Sequence, residues 1–188
     1  MRRIVILLVA IVVTIIVGVI VVIERGVAAR EQPSSMETWV ARTLRHVAIP
    51  AASRNRTNPV KLTPEVLAEG RAHWADHCAI CHANDGSGKT EIGRNLYPRA
   101  PDMRLPATQN LSDGELFAII HDGVRLSGMP AWGDAAGHDA TQNWHLVHFI
   151  RHLPKLTPEE IEEMERLNPK SPDEMMQMHQ EDEFLKGH

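Results

Sequence analysis

The sequence predicts an all-α protein: one transmembrane helix, then a small helical domain whose long loops wrap something. Three observations carry that expectation. An unbroken apolar run fills the start of the chain. Beyond residue 60, apolar residues recur at helical spacing, with no strand-like alternation of useful length and no internal repeat. Aromatic residues make up only 4% of the 188 residues, so part of the apolar mass of the core is expected to come from a group that is not an amino acid. The length suits one compact domain with appendages. A formal net charge of -4 gives no general reason to bind nucleic acid.

The apolar run, Ile4 to Ile23, is free of charge. At a rise of about 1.5 Å per residue it spans roughly 30 Å, the hydrocarbon thickness of a bilayer. A cleavable signal peptide would have a shorter apolar region, about 7–15 residues, ending in a small-x-small site. Here Glu24 and Arg25 follow directly, and only "VAA" at 27–29 resembles such a site. Residues 1–23 are therefore expected to be an uncleaved anchor. Arg2 and Arg3 at one end and Arg25 and Arg30 at the other leave its orientation nearly tied by flanking charge.

Residues 24–61 form a basic juxtamembrane segment, with seven Lys/Arg against three Glu. Met36, Trp39, Val40, Leu44 and Val47 fall at helical spacing, with Arg42, Arg45 and His46 largely off that stripe. Such a helix either packs on its own domain or lies at a membrane interface with its arginines on anionic lipid. Pro50, Pro59 and the polar "SRNRTN" then read as a linker.

Residues 62–154 form the domain. Thr63 suits an N-cap and Pro64 the first helical position; Val66, Leu67, Gly70 and Trp74 share one face. A glycine-rich stretch, Ala83 to Arg94, leads into the proline-bearing loop "YPRAPDMRLP". Ser112 and Glu115 form a capping box for the next helix, with Gly123 just past its end. "VRLSGMPAWGDAAGHDA" reads as loop, and "QNWHLVHFIRHLP" as a helix ended by Pro154. Its histidines, His145, His148 and His152, are expected to form a solvent-facing stripe. Loops this long in a small domain suit wrapping a bound group.

Residues 155–188 are an acidic extension, with ten Asp/Glu against four Lys/Arg. It opens with a capped helix (Thr157, Pro158, Glu160) stopped before Pro169. Its charge either attracts the basic juxtamembrane segment or faces a different partner. Met175, Met176, Met178 and His179 are soft ligands of the kind copper(I) takes, but Met175, Met178 and Leu185 equally form the apolar side of an amphipathic tail.

The two cysteines of the chain stand in "CAICH", Cys78 to His82. A structural zinc site needs four ligands, usually from two such pairs, and there is no second pair. A redox dithiol expects a βαβ setting, and this one is helical. A disulfide three residues apart would close a tiny loop and stabilise little. C-x-x-C-H is the signature of c-type haem attachment. Two thiols one turn apart reach the two vinyl groups on one porphyrin edge, and the next side chain places an imidazole under the iron. Met129, in "SGMPAW", is the expected ligand opposite His82, since haem iron accepts Met across from His. Gly128 and Pro130 would tighten the loop that presents it. Met103 and His121 are rivals for that position.

From about Leu62 to Leu153 the chain resembles a class I c-type cytochrome, of the monohaem, membrane-anchored bacterial kind. Gly70 and Trp74 stand where that family has a glycine and an aromatic at a close crossing of its N- and C-terminal helices. Leu146 and Phe149 match the answering positions. "MPAW" matches the axial-methionine loop. The family's glycine-proline pair, whose proline carbonyl takes a hydrogen bond from the haem histidine, appears here as Gly93-Arg94, with Arg94 left to supply a carbonyl.

The resemblance implies one haem c held covalently by Cys78 and Cys81, with His82 and Met129 as axial ligands of the iron. It also implies a location: haem is attached after export, so the domain would lie on the outer, periplasmic side of the bacterial cytoplasmic membrane. The implied function is transfer of single electrons between redox protein partners, without catalysis. The alternatives are a cytochrome subunit of a larger respiratory oxidase or dehydrogenase complex, or a haem peroxidase or gas-binding protein, which would need an open sixth position. Arg99, Arg104, Tyr97 and Trp132 are candidate haem-propionate donors.

Overall fold

The structure, a computed structural model, describes residues 2–25, 28–133, 140–171, 174–177, 179–180 and 183. Every regular element among them is helical. Helix α1 (Arg2–Arg25) precedes α2 (Ser35–Ala48) and α3 (Ala51–Arg54). Helix α4 (Pro64–His73) runs through a π-helical turn (Trp74–Cys78) into α5 (Ala79–His82). Two short helices, α6 (Glu91–Asn95) and α7 (Pro106–Gln109), punctuate the loops before α8 (Asp113–Asp122) and α9 (Thr141–His152). A 3-10 turn (Leu153–Lys155) then leads to α10 (Pro158–Leu167).

Helix α1 is long and apolar enough to cross a membrane: an 18-residue window within Arg2–Glu24 has a mean hydropathy of 3.6 and none of it is buried in the protein. It is compatible with a single-pass anchor.

The capping chemistry expected from the sequence sets the ends of the domain helices. The Thr63 hydroxyl accepts from the Val66 amide and Pro64 opens α4. Reciprocal capping boxes start α8 (Ser112, Glu115) and α10 (Thr157, Glu160). Each satisfies two otherwise orphaned backbone donors. A third box, Ser34 with Glu37, starts α2.

The core lies where α4 crosses α9. Trp74, Leu146, Val147, Phe149 and Ile150 are essentially inaccessible to solvent. The crossing is close because Gly70 has no side chain: a Cβ there would lie 2.5 Å from the His145 carbonyl oxygen and 3.1 Å from the Phe149 Cβ. Trp74 packs against Phe149 with ring centroids 5.6 Å apart. Helix α8 closes the other side, where Phe117 stacks on Trp144 at 4.1 Å. Helix α10 also enters the core through the fully buried Met164. Arg71 on α4 pairs with Glu160 (2.9 Å) and Glu163 (2.8 Å) of α10, so α10, the start of the acidic extension, is held by the domain.

Two expectations change. The stretch read as a linker is stitched onto the domain. Helix α3 sits on α8, where the Ser112 hydroxyl donates to the Arg54 carbonyl (2.6 Å). The Asn58 amide donates to the Trp144 carbonyl (2.9 Å), and the Arg56 guanidinium lies over the Phe117 ring at 4.6 Å. The histidines of α9 are not a solvent-facing stripe either. Each faces a different segment: His145 meets Glu69 (2.9 Å), His148 the Val60 carbonyl (2.8 Å) and His152 Glu160 (3.0 Å). A helix surrounded by α4, α10 and the incoming chain has little free face, and a polar side chain there must find a partner.

Candidate functional site

Cys78, Cys81 and His82 occupy consecutive turns of one helical run, because α4 continues unbroken through the π turn into α5. The π turn re-aims the residues after Trp74, a device found often at functional sites. The run stops immediately after His82, where Ala83 adopts a positive φ of 62°. The Ala83 carbonyl then accepts the Trp74 indole N–H at 3.0 Å. The largest buried aromatic of the crossing is thereby tied to the residue that follows the histidine.

The following loop folds back on the same turn. The Gly88 amide donates to the His82 carbonyl (2.8 Å) and the Thr90 hydroxyl to the Cys81 carbonyl (3.2 Å). Thr90 also caps α6, accepting from the Gly93 amide at 2.8 Å. Gly93 lies directly on the Cys81 carbonyl, with no room for a side chain. Farther on, the Met103 amide donates to the Gly86 carbonyl (2.8 Å). Arg104 clamps the loop ends together by pairing with Asp85 (2.9 Å) and Asp102 (2.7 Å). Its guanidinium hydrogen bonds hold the Asp102 carboxyl below its usual range.

Burial sets the electrostatics of the three side chains. It pushes the Cys78 thiol up to about 12, with the nearby Cys81 adding to the shift, and raises Cys81 as well. Both are therefore protonated at ordinary pH, whereas a reactive dithiol keeps a stabilised thiolate. Both cysteines are free. Burial lowers His82 to about 4, and the Pro101 carbonyl opposes that only in part. The ring is therefore neutral at ordinary pH, the form that ligates a metal. Its Nδ1 is buried and meets no acceptor in hydrogen-bonding geometry. The carbonyl that acts on the ring is that of Pro101, and Arg94 does not bond to Nδ1. Free thiols one turn apart, a neutral imidazole and an orphaned ring nitrogen beside a backbone carbonyl fit a covalently held haem.

Met129 lies in a loop built back onto α8. The Val124 amide donates to the Met129 carbonyl (3.1 Å), and the Met129 amide to the Ser127 hydroxyl (3.2 Å). Gly128 lies against the Leu96 side chain, which follows α6 and so joins this loop to the one that covers Cys81. The loop leaves through Trp132, whose amide donates to the Ile120 carbonyl (3.0 Å) and whose ring stacks on His77 at 5.3 Å. Of the rivals, Met103 packs against the core, and His121 stacks on Phe117 at 5.3 Å with its Nδ1 2.8 Å from Asp122.

The candidate propionate donors are dispersed. Arg104 is taken by two carboxylates, and Arg99 donates to the Arg30 carbonyl at 3.4 Å. The Tyr97 hydroxyl donates to Glu37 at 3.3 Å, and Trp132 faces His77. A cleft of about 540 Å³, lined in part by Glu69, His73, His77 and His145, includes none of Cys78, Cys81, His82 or Met129. Among the described residues no three His, Cys, Asp or Glu side chains are arranged to hold a metal ion. In the Met/His tail, Met175 and Met176 are exposed, while Met178 and Leu185 lie outside the described residues.

Sequence reading missed α3, α6 and the Pro101 carbonyl. A signal for α6 was present in Thr90-Glu91, a capping residue followed by an acid. Nothing in the sequence singles out Pro101 among the prolines of its loop. The family model described as "Cytochrome C oxidase, cbb3-type, subunit III" matches residues 65–150.

Proposed function

We propose, from the match of residues 65–150 to that cytochrome family model, that the protein is a membrane-anchored, monohaem c-type cytochrome that carries electrons. In this reading residues 1–23 anchor the chain, and the haem domain (62–154) stands on the outer face of a bacterial cytoplasmic membrane. One haem c would be held covalently through Cys78 and Cys81, with His82 and Met129 as the residues that would hold its iron. Once bound, the haem supplies a one-electron iron couple whose potential follows from ligand identity, burial and hydrogen bonding.

The residues of the chain do the rest. His82 stays neutral because it is desolvated, and so presents a lone pair. The Pro101 carbonyl lies by the ring and offsets part of that burial effect. Thr90, Gly93 and the Arg104 clamp hold the covering loop and exclude water. The Ser127 hydroxyl positions the Met129 backbone. The observation that carries this function is the placement of Cys78, Cys81 and His82 on one helical run, inside the segment matched by the family.

The description of that family as an oxidase subunit favours a second reading, in which the same domain feeds electrons to a larger respiratory complex instead of diffusing between partners. Full-length protein made in a haem-maturing host tests both. An intact mass with one added haem, a low-spin spectrum with the far-red Met–iron band when oxidised, and no carbon monoxide binding when reduced are expected. Absence of the added mass sinks the haem assignment. Loss of the band, with ready carbon monoxide binding, would mean an open iron and a different chemistry. Co-migration with an oxidase core in mild detergent would select the subunit over the free carrier.

A further inference from the structure

Helix α2 is amphipathic, yet it packs on the domain with its polar side. The less exposed positions are Thr38, Arg45 and, at its C-terminal cap, Ile49. Beside them His46 Nδ1 lies 2.7 Å from Glu115 Oε1, and Glu37 receives the Tyr97 hydroxyl. Arg54 donates to the carbonyls of His46 and Ile49, which closes the end of α2 onto α3. At 3.6 residues per turn, Met36, Val40, Leu44 and Val47 fall on the opposite side, with Trp39 at its edge. No residue of α2 is buried. Met36 is 75% exposed, Trp39 66%, Leu44 63% and Val47 69%. A helix stabilised by its own domain would turn this stripe inward.

The chain path says what covers the stripe. Nine residues separate Arg25, at the end of α1, from Ser35, the first residue of α2. The ten residue-to-residue steps, fully extended, reach at most about 36 Å. A turn at Ala28, closed by the Glu31 amide, shortens this, and the Arg99 contact to the Arg30 carbonyl holds the segment to the domain. If α1 spans a bilayer, α2 starts within reach of its surface. A tryptophan at the edge of the stripe suits that surface, and the basic chain between α1 and α2, with Arg25 and Arg30, suits anionic headgroups.

We propose that α2 lies in the membrane interface, with Met36, Trp39, Val40, Leu44 and Val47 at the headgroup–acyl boundary and its polar side holding the haem domain against the bilayer. The occupant of the apolar stripe is thus the lipid of the membrane that α1 crosses, so the proposal rests on α1 being an anchor. The consequence is a haem domain held at a set height and orientation instead of swinging on a loose tether.

The test is photo-crosslinking of full-length, haem-loaded protein in vesicles of phosphatidylethanolamine and phosphatidylglycerol that carry a diazirine-bearing phospholipid. Adducts are mapped by peptide mass. Lipid adducts on α1 and on residues 35–48, several-fold above those on α10, are expected. The doubly substituted chain L44E/V47E should lose most adducts on 35–48 while keeping those on α1 and an unchanged haem spectrum. Adducts on α1 alone overturn the proposal and leave the anchor intact. No adducts on α1 overturn the anchor reading itself. In native membranes, cross-links from 35–48 to a partner subunit or to a second copy, without lipid, also overturn it.

Discussion

Two amphipathic segments of this protein obey the same 3.6-residue periodicity and end in opposite places. In α4, Gly70 and Trp74 are buried at a crossing so close that a methyl group at residue 70 would strike the backbone of α9. In α2, five large apolar side chains are exposed among the described residues. The difference is one of partners. A periodic stripe states that something apolar will cover it, but not whether the cover is another helix, a macrocycle or a bilayer. What marks α4 in the sequence is the glycine within the stripe, which is useful only if another backbone approaches. What marks α2 is the tryptophan at the edge of its stripe and the basic chain that leads into it from α1, which a protein core does not require.

The contrast can be broken first by truncating one side chain in each region. Phe149→Ala should cost about 3–5 kcal/mol of domain stability through lost burial and a residual cavity. Trp39→Ala, in detergent, should stay within about 0.5 kcal/mol, as an exposed position does. Denaturant melts of the holoprotein followed at the haem band compare the two. Equal losses would mean that α2 is part of the core.

Gly70→Ala sharpens the same point at one carbon. The added methyl must displace α9 or α4, so a loss of about 1–3 kcal/mol is expected, although alanine is the better helix former. A neutral or stabilising result in the same melts would show that the crossing is looser than its geometry.

The smallest expected effect is electrostatic. Burial raises Glu160, but hydrogen bonds from His152 and the Thr157 amide, with Arg71 nearby, outweigh it and hold its carboxyl low. Glu115 is likewise raised by burial and lowered overall by Ser112 and His46. In both cases the unfolded chain binds the proton first as pH falls. Their contribution is therefore fully present above the ordinary carboxylate range and is lost as pH drops through it towards the folded values. The stability advantage of the native chain over E160Q should be full above pH ~6 and shrink towards zero as pH falls through the carboxylate range, read from denaturant melts at each pH. Equal stabilities at neutral pH would show that the α10 clamp contributes nothing.

The helices and their caps were legible because their causes are local. Thr63-Pro64, Ser112 with Glu115 and Thr157-Pro158 with Glu160 each satisfy donors within three residues. The cysteine-histidine segment was legible for the same reason, since five adjacent residues carry its spacing. Long-range partners were not. The histidines of α9 looked like a free face because Glu69, Val60 and Glu160 lie far off along the chain. The run from Pro50 to Pro59 looked like a linker because polar composition does not reveal that Arg54, Arg56 and Asn58 will find α8 and α9. Likewise, the carbonyl beside His82 comes from Pro101, where family spacing pointed to Arg94.

By itself the sequence determined the apolar helix at the start, the all-helical domain and the C-x-x-C-H segment on which the proposed haem site rests, because each depends on neighbours in the chain and on the chemistry of single side chains. Only the tertiary structure decided which carbonyl sits by the histidine, that α10 belongs to the core, and that α2 turns its apolar side outward. Those outcomes depend on which distant surfaces satisfy buried polar groups and on where apolar area is finally withdrawn from water, and neither is a property of a local segment.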